Sequence, residues 1–120
     1  MIVKYGPIEA ILTKMIPKRN CPGTHCPAEA TLALIGGRWK VPILWHLFPG
    51  CRRFSELRRD LPGVSQKMLI QQLREMERDG IVIRRVYAQV PPKVEYSLSP
   101  AGKTLKPVVD AMCRWSKGRG

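Results

Sequence analysis

A short turn, Asp60-Leu61-Pro62-Gly63-Val64, separates two segments of helical character. Before the turn, the segment 55–61 begins at Ser55, a predicted N-cap, and has two leucines on one side. After the turn, the segment 66–79 follows Ser65, a second predicted N-cap, and ends before a glycine. Two short helices joined by a tight turn that contains glycine predict a helix-turn-helix.

The hydrophobic period changes after the second of these helices. Residues 81–87 are rich in β-branched and aromatic side chains, and residues 94–98 alternate strictly between apolar and polar. The loop between them contains Pro91-Pro92. The fold class predicted is therefore α+β and mostly α, namely a winged helix-turn-helix with a two-stranded β-wing.

Further helices are predicted on both sides of this unit. The segments 28–35 and 38–48 read as core helices, and a short amphipathic helix is predicted between Pro7 and Pro17. A last helix begins at Pro100 and should kink or break at Pro107. The predicted organisation is an N-terminal arm over 1–27, a winged helix-turn-helix domain over 28–99 and a C-terminal helix over 100–120.

The two terminal helices carry more apolar surface than a winged helix of this size needs for its own core. The surplus predicts a two-fold interface between copies of the chain, and the competing interpretation is that both helices only cap the core of one chain. The predicted interface residues are Ile8, Ile11, Leu12, Met15, Leu105, Val109, Met112 and Trp115.

The second helix of the predicted helix-turn-helix has two chemically different faces. Its apolar side is formed by Leu69, Leu73 and Met76. On the opposite side lie Lys67, Gln71, Arg74 and Arg78. Lysine, arginine and glutamine can bind base edges in the major groove, although such a stripe can also be an ordinary solvated face.

The formal net charge of +12 favours a polyanionic partner. Basic residues outside this helix are candidates for phosphate contacts, which set affinity and register but not sequence preference. The predicted DNA-binding residues are Ser65, Gln66, Lys67, Gln71, Arg74, Arg52, Arg84 and Lys93.

Several segments together resemble the HxlR-type winged helix-turn-helix regulators of bacteria and archaea, relatives of the MarR group. They include Ile35-Gly36-Gly37-Arg38-Trp39-Lys40, Leu61-Pro62-Gly63-Val64-Ser65-Gln66-Lys67-Met68-Leu69 and Pro91-Pro92-Lys93-Val94-Glu95-Tyr96. The resemblance runs from Cys26 to about Trp115. It implies a homodimer that binds a palindromic operator in double-stranded DNA and regulates neighbouring genes, often in response to oxidants or electrophiles.

Cys26 matches the position at which some members of that family carry a redox-sensing thiol. It precedes a predicted helix, whose N-terminus can stabilise a thiolate, but an ordinary packed thiol is the equal alternative. Cys21 could act as its resolving partner within the subunit, or form a bridge to the other subunit. A zinc site built from Cys21, His25 and Cys26, with Cys51 or Cys113, is disfavoured, because the spacing is loose and no second pair follows at finger spacing.

The remaining function classes are disfavoured by what the sequence lacks. No phosphate-binding glycine loop, nucleophile elbow or zinc-protease pair is present, so an enzyme is not expected, and neither is a cofactor or a metal. No apolar run is long enough to span a bilayer, and no secretory signal is recognisable, so we expect a cytoplasmic protein. The main alternative to a sequence-specific repressor is an architectural DNA- or RNA-binding protein without sequence preference.

Overall fold

The computed structural model describes residues 26–119 of the chain. The predicted N-terminal helix, with Ile8, Ile11, Leu12 and Met15, lies outside the described residues, as do Cys21 and His25. Six helices and three strands follow in this order: α1 (Pro27–Ile35), α2 (Lys40–Leu47), β1 (Arg52–Arg53), α3 (Phe54–Asp60), α4 (Gln66–Arg78), β2 (Val82–Tyr87), β3 (Lys93–Leu98), α5 (Pro100–Lys103) and α6 (Lys106–Arg119). None of the helices in the described part is long and apolar enough to cross a membrane.

The predicted helix-turn-helix is confirmed as α3, a turn and α4. Gly63 in the turn has a φ of 91°, in the left-handed region that glycine adopts without strain. The prediction of Ser55 as N-cap of α3 is wrong, because the helix already begins at Phe54 and Ser55 lies inside it. The first turn is closed instead by the backbone N–H of Arg53, which donates to Oε1 of Glu56 at 2.9 Å.

The wing is an antiparallel sheet in the strand order β1-β3-β2. The predicted hairpin is formed by β2 and β3, with Val82 opposite Leu98 and Tyr87 opposite Lys93. The sheet has one strand more than predicted, because Arg52 and Arg53 pair with the other edge of β3. A two-residue strand has too short a pattern to be recognised in a sequence.

The core lies between α2, α3, α4, the sheet and the C-terminal helices. Its largest fully buried side chains are Ile43, Leu44, Leu47, Leu57, Leu69, Leu73, Met76, Ile81 and Val109. They come from α2, α3, α4, α6 and the residue before β2. Val82, Tyr96 and Leu98 of the wing strands are buried in the same cluster, so the helix-turn-helix and the wing share one apolar centre. Burial of these side chains is the main force that fixes α4 against the rest of the domain.

The C-terminal segment is broken, as the position of Pro107 predicts. The helix α5 starts with Ser99 as N-cap, whose Oγ accepts from the N–H of Gly102 at 2.9 Å, and it ends at Lys103. A new helix, α6, then starts at Lys106. Pro107 has no N–H to donate, so it is tolerated in the first turn of a helix but not in the interior of a longer one.

Two predicted interface residues in this segment belong to the core of the single chain. Leu105 and Val109 are buried against the helix-turn-helix and the sheet. Their side chains are already covered within one chain and leave little surface for a partner, and their place on a dimer interface stays a prediction. Met112 and Trp115 remain exposed on α6, with 44% and 66% of their surface accessible.

Candidate nucleic-acid interface

The helix α4 is held at its N-terminus by a side-chain cap. The Oγ of Ser65 accepts a hydrogen bond from the N–H of Met68 at 3.0 Å, as the sequence predicts. The neighbouring Gln66 also links the two helices of the motif, since its Oε1 accepts from Nη1 of Arg58 at 3.2 Å. The first turn of α4 is thereby fixed relative to α3, and its remaining N–H groups point outward at the positive end of the helix dipole.

The two predicted faces of α4 are present in the structure. Leu69, Leu73 and Met76 are buried in the core. Lys67, Gln71, Arg74 and Arg78 are all exposed on the other side. Since α4 is rigidly packed along its apolar face, the exposed basic and amide groups are presented as one continuous surface.

This surface continues into a groove of about 420 Å³ between α4 and the wing. Arg74 from the helix and Arg84 from β2 both line the groove, and its apolar wall includes Phe54 and Val94. Two predicted DNA-binding residues that are ten positions apart in sequence therefore converge on one depression. A guanidinium on each side of a groove is suited to holding a phosphodiester backbone.

Two other predicted phosphate contacts already have partners within the chain. The guanidinium of Arg52 forms an ion pair with Asp60, with Nη2 at 2.5 Å from Oδ2. The ammonium of Lys93 lies 3.3 Å from Oε2 of Glu95 and 4.6 Å from the centre of the Tyr87 ring. Any contact of these side chains with a phosphate would have to compete with these pairs.

Comparisons with known proteins decide the family. The HxlR-like helix-turn-helix family model matches residues 34–119. The chain belongs to this family. Among curated relatives, YdeP of Bacillus subtilis is 54% identical over 92 residues, which cover 77% of this chain and 72% of YdeP. YtcD of the same organism is 58% identical over 87 residues, which cover 72% of this chain and 69% of YtcD. Both are named as HTH-type transcriptional regulators.

The solved structures that resemble this HxlR-like chain include a protein named a redox regulator. The reduced form of the redox regulator HypR superposes with a TM-score of 0.74 at 53% identity, covering 77% of this chain and 91% of HypR. The reduced form of the transcriptional regulator YodB from B. subtilis gives a TM-score of 0.68 at 37% identity, covering 82% of this chain and 92% of YodB. The fold of an HxlR-like, sequence-specific helix-turn-helix regulator is thereby established for this chain.

The cysteines of this HxlR-like chain lie in different environments. Cys26 is half-buried and is the N-cap residue of α1. Cys51 is exposed beside β1, and Cys113 is half-buried against the core. Between residues 26 and 119, no three histidine, cysteine or acidic side chains are grouped closely enough to hold a metal ion.

One charged residue that contacts α4 is not predicted from the sequence. Lys40, at the start of α2, is buried, and its Nζ lies 2.7 Å from Oε1 of Glu75 on α4. The signal available in the sequence was Glu75 itself, an acidic residue four positions after Gln71 and thus on the same side of the helix. Nothing in the sequence indicated that a lysine thirty-five positions earlier would reach it.

Proposed function

We propose that this chain is a homodimeric repressor that reads a palindromic operator with α4 and grips the adjacent backbone with the wing. The observation that carries the proposal is the exposed stripe of Lys67, Gln71 and Arg74 on a helix whose opposite face is locked in the core. In helix-turn-helix proteins, the second helix of the motif lies in the major groove and its N-terminal residues contact bases. Arg84, across the groove from Arg74, supplies the backbone contact from the wing.

The dimer part of the proposal rests on exposed apolar side chains at the C-terminus. Met112 and Trp115 lie one turn apart on α6 and both are exposed. A second copy of the chain would remove them from water and would place two α4 helices on one face, related by a two-fold axis. A palindromic site follows, because each half of the operator meets an identical helix.

The regulatory part of the proposal concerns Cys26. Its position directly before α1 and the similarity to HypR, named a redox regulator, support an oxidant response. The disulfide would join Cys26 to a second thiol, for which Cys21 is the candidate. Its formation transfers two electrons and two protons to the oxidant, and diamide accepts all of them as it becomes a hydrazine. A disulfide at the start of α1 would shift this helix and weaken operator binding.

Genomic footprinting with and without diamide tests these parts together. We expect protection of two-fold symmetric sites, with half-sites about one helical turn apart, that diamide abolishes in the wild type but not in Cys26→Ser. Protection without symmetry would contradict the dimer. An equal response of both proteins to diamide would contradict the role of Cys26, and uniform protection of all duplex DNA would favour the architectural alternative.

A further inference from the structure

Lys40 is a cation in an environment that is unusual for lysine. Only 7% of its surface is exposed, although it is the first residue of α2. A buried ammonium group is costly unless it is paired. Its partner is Glu75, whose Oε1 lies 2.7 Å from the Lys40 Nζ.

Glu75 has a second partner on the exposed face of α4. Its other oxygen, Oε2, accepts a hydrogen bond from Nε2 of Gln71 at 3.4 Å. The hydrogen bond from Lys40, followed by the one from Gln71, holds the pKa of Glu75 below its usual range. The carboxylate is therefore ionised at neutral pH, and its two oxygens connect a buried ammonium with a surface amide.

This chain of contacts restricts which way the amide of Gln71 can point. An amide nitrogen has two N–H donors, and one of them is directed to Glu75. The second N–H and the carbonyl oxygen are left for another molecule. If the amide were flipped, its oxygen would face the carboxylate, and two acceptors would repel each other.

We propose that Lys40, acting through Glu75, is a positioning residue that sets Gln71 to select adenine over guanine. This inference rests on the proposed function, in which Gln71 contacts a base. Adenine offers an acceptor at N7 and a donor at N6 in the major groove, which match the free N–H and the carbonyl oxygen of Gln71. Guanine offers acceptors at both N7 and O6, so its O6 would face the carbonyl oxygen.

Selection from a randomised duplex library tests the proposal. We expect the wild type to favour adenine over guanine by about tenfold at one pair of symmetry-related positions. Lys40→Met should lose this preference while the preferences at all other positions persist, and Lys40→Arg, which keeps the charge, should retain it. Gln72→Ala is the matched control, since Gln72 lies on the same helix next to Gln71 and has no part in the contact chain; it should bind as the wild type does.

The Gln71→Ala variant separates this inference from the proposed function. If Gln71→Ala changes no base preference, Gln71 does not contact a base and that part of the proposed function is wrong. If Gln71→Ala removes the preference for adenine but Lys40→Met retains it, Gln71 contacts the base and the positioning role of Lys40 is overturned.

A measurement on the unsubstituted protein decides the question if Lys40→Met does not fold. The ¹⁵N order parameter of a side-chain amide reports how far its motion is restricted. We expect a higher order parameter for Nε2 of Gln71 than for Nε2 of Gln72. Equal mobility of the two amides would overturn the proposal, because an amide that rotates freely is not positioned.

Discussion

The guanidinium of Arg52 in β1 is paired with the carboxylate of Asp60, the last residue of α3, with Nη2 at 2.5 Å from Oδ2. This ion pair therefore connects β1, the short edge strand of the wing, with α3, the first helix of the helix-turn-helix. The Nε of Arg52 is buried without a hydrogen-bond partner. The stability of the folded chain therefore depends more strongly on the ion pair between this guanidinium and Asp60.

Replacement of Arg52 by alanine should lower stability. The change leaves the partly buried Asp60 without this ion pair, and we expect the free energy of unfolding to fall by about 1 kcal/mol. Urea denaturation measures the change. Arg114→Ala, at an exposed position on α6, is the control and should stay within about 0.5 kcal/mol of the wild type. Equal stability of both variants would show that the pair contributes nothing.

Gly102 provides a sharper test of the packing between α5 and Ile81, the residue before β2. A Cβ atom at this position would lie 2.3 Å from the carbonyl oxygen of Ile81, a backbone atom that cannot move aside easily. We expect Gly102→Ala to lower the free energy of unfolding by about 2 to 3 kcal/mol. Gly118→Ala is the matched control, because a Cβ there meets nothing within 4 Å. A melting temperature of Gly102→Ala equal to that of Gly118→Ala would contradict the close approach.

The sequence predicted α4 well because its signals are local. Ser65 caps the helix through its own side chain, the apolar residues recur at helical spacing, and Gly80 follows with a φ of 79°. The same holds for the start of α5, where Ser99 and Pro100 act as N-cap and first helical residue.

The features that the sequence did not predict depend on contacts between distant segments. Lys40 is a cationic residue that is buried, whereas Trp45, one of the largest apolar residues, has 57% of its surface exposed. Both lie on α2, and their burial is decided by which side of α2 the other elements cover. Periodicity likewise identifies the apolar face of the C-terminal segment that includes Leu105 and Val109, but not the elements that cover it.

Glu95 should make the stability of the wing depend on pH. Burial alone would raise the pKa of Glu95, but hydrogen bonds from Lys93, Tyr87 and Cys51 outweigh it and the pKa is lowered. A lowered pKa in the folded state means that the stabilisation is present above the pKa of the unfolded chain and is lost as pH falls through the folded pKa. We expect the NMR resonances of the wing residues in the wild type to broaden or shift as the pH falls through the folded pKa of Glu95.

The variant Glu95→Gln is the control for this pH dependence. It cannot ionise, so the wing signals that follow Glu95 in the wild type should show no transition over the same range. A transition of equal size in both proteins, followed by NMR, would assign the effect to another carboxyl group.

Arg74 and Arg84 should affect DNA binding in different ways. We expect Arg74→Ala to reduce the discrimination between operator and random duplex by about 1 to 3 kcal/mol, because α4 is proposed to reach base edges. Arg84→Ala should weaken all duplexes alike and reduce the slope of log K against log salt by about 1, because it would remove one phosphate contact. Binding titrations at several salt concentrations measure both effects. If Arg74→Ala weakened both duplexes equally, the assignment of Arg74 to base recognition would be wrong.

Trp115 should be needed for dimerisation. It is an exposed aromatic residue on α6, with the guanidinium of Arg119 4.9 Å from the ring centre, and it lies one turn beyond the exposed Met112. An aromatic residue at the centre of an interface commonly contributes 2 kcal/mol or more, so we expect Trp115→Ala to raise the dimer dissociation constant by about 30-fold. Sedimentation equilibrium measures this constant. Val90→Ser, at a wing residue that is 99% exposed, is the control and should leave the dimer dissociation constant unchanged.

Because a dimer contacts both halves of an operator, the Trp115 variant should also bind a full palindrome hardly better than a single half-site. Wild-type self-association in Trp115→Ala would place the interface elsewhere on the chain.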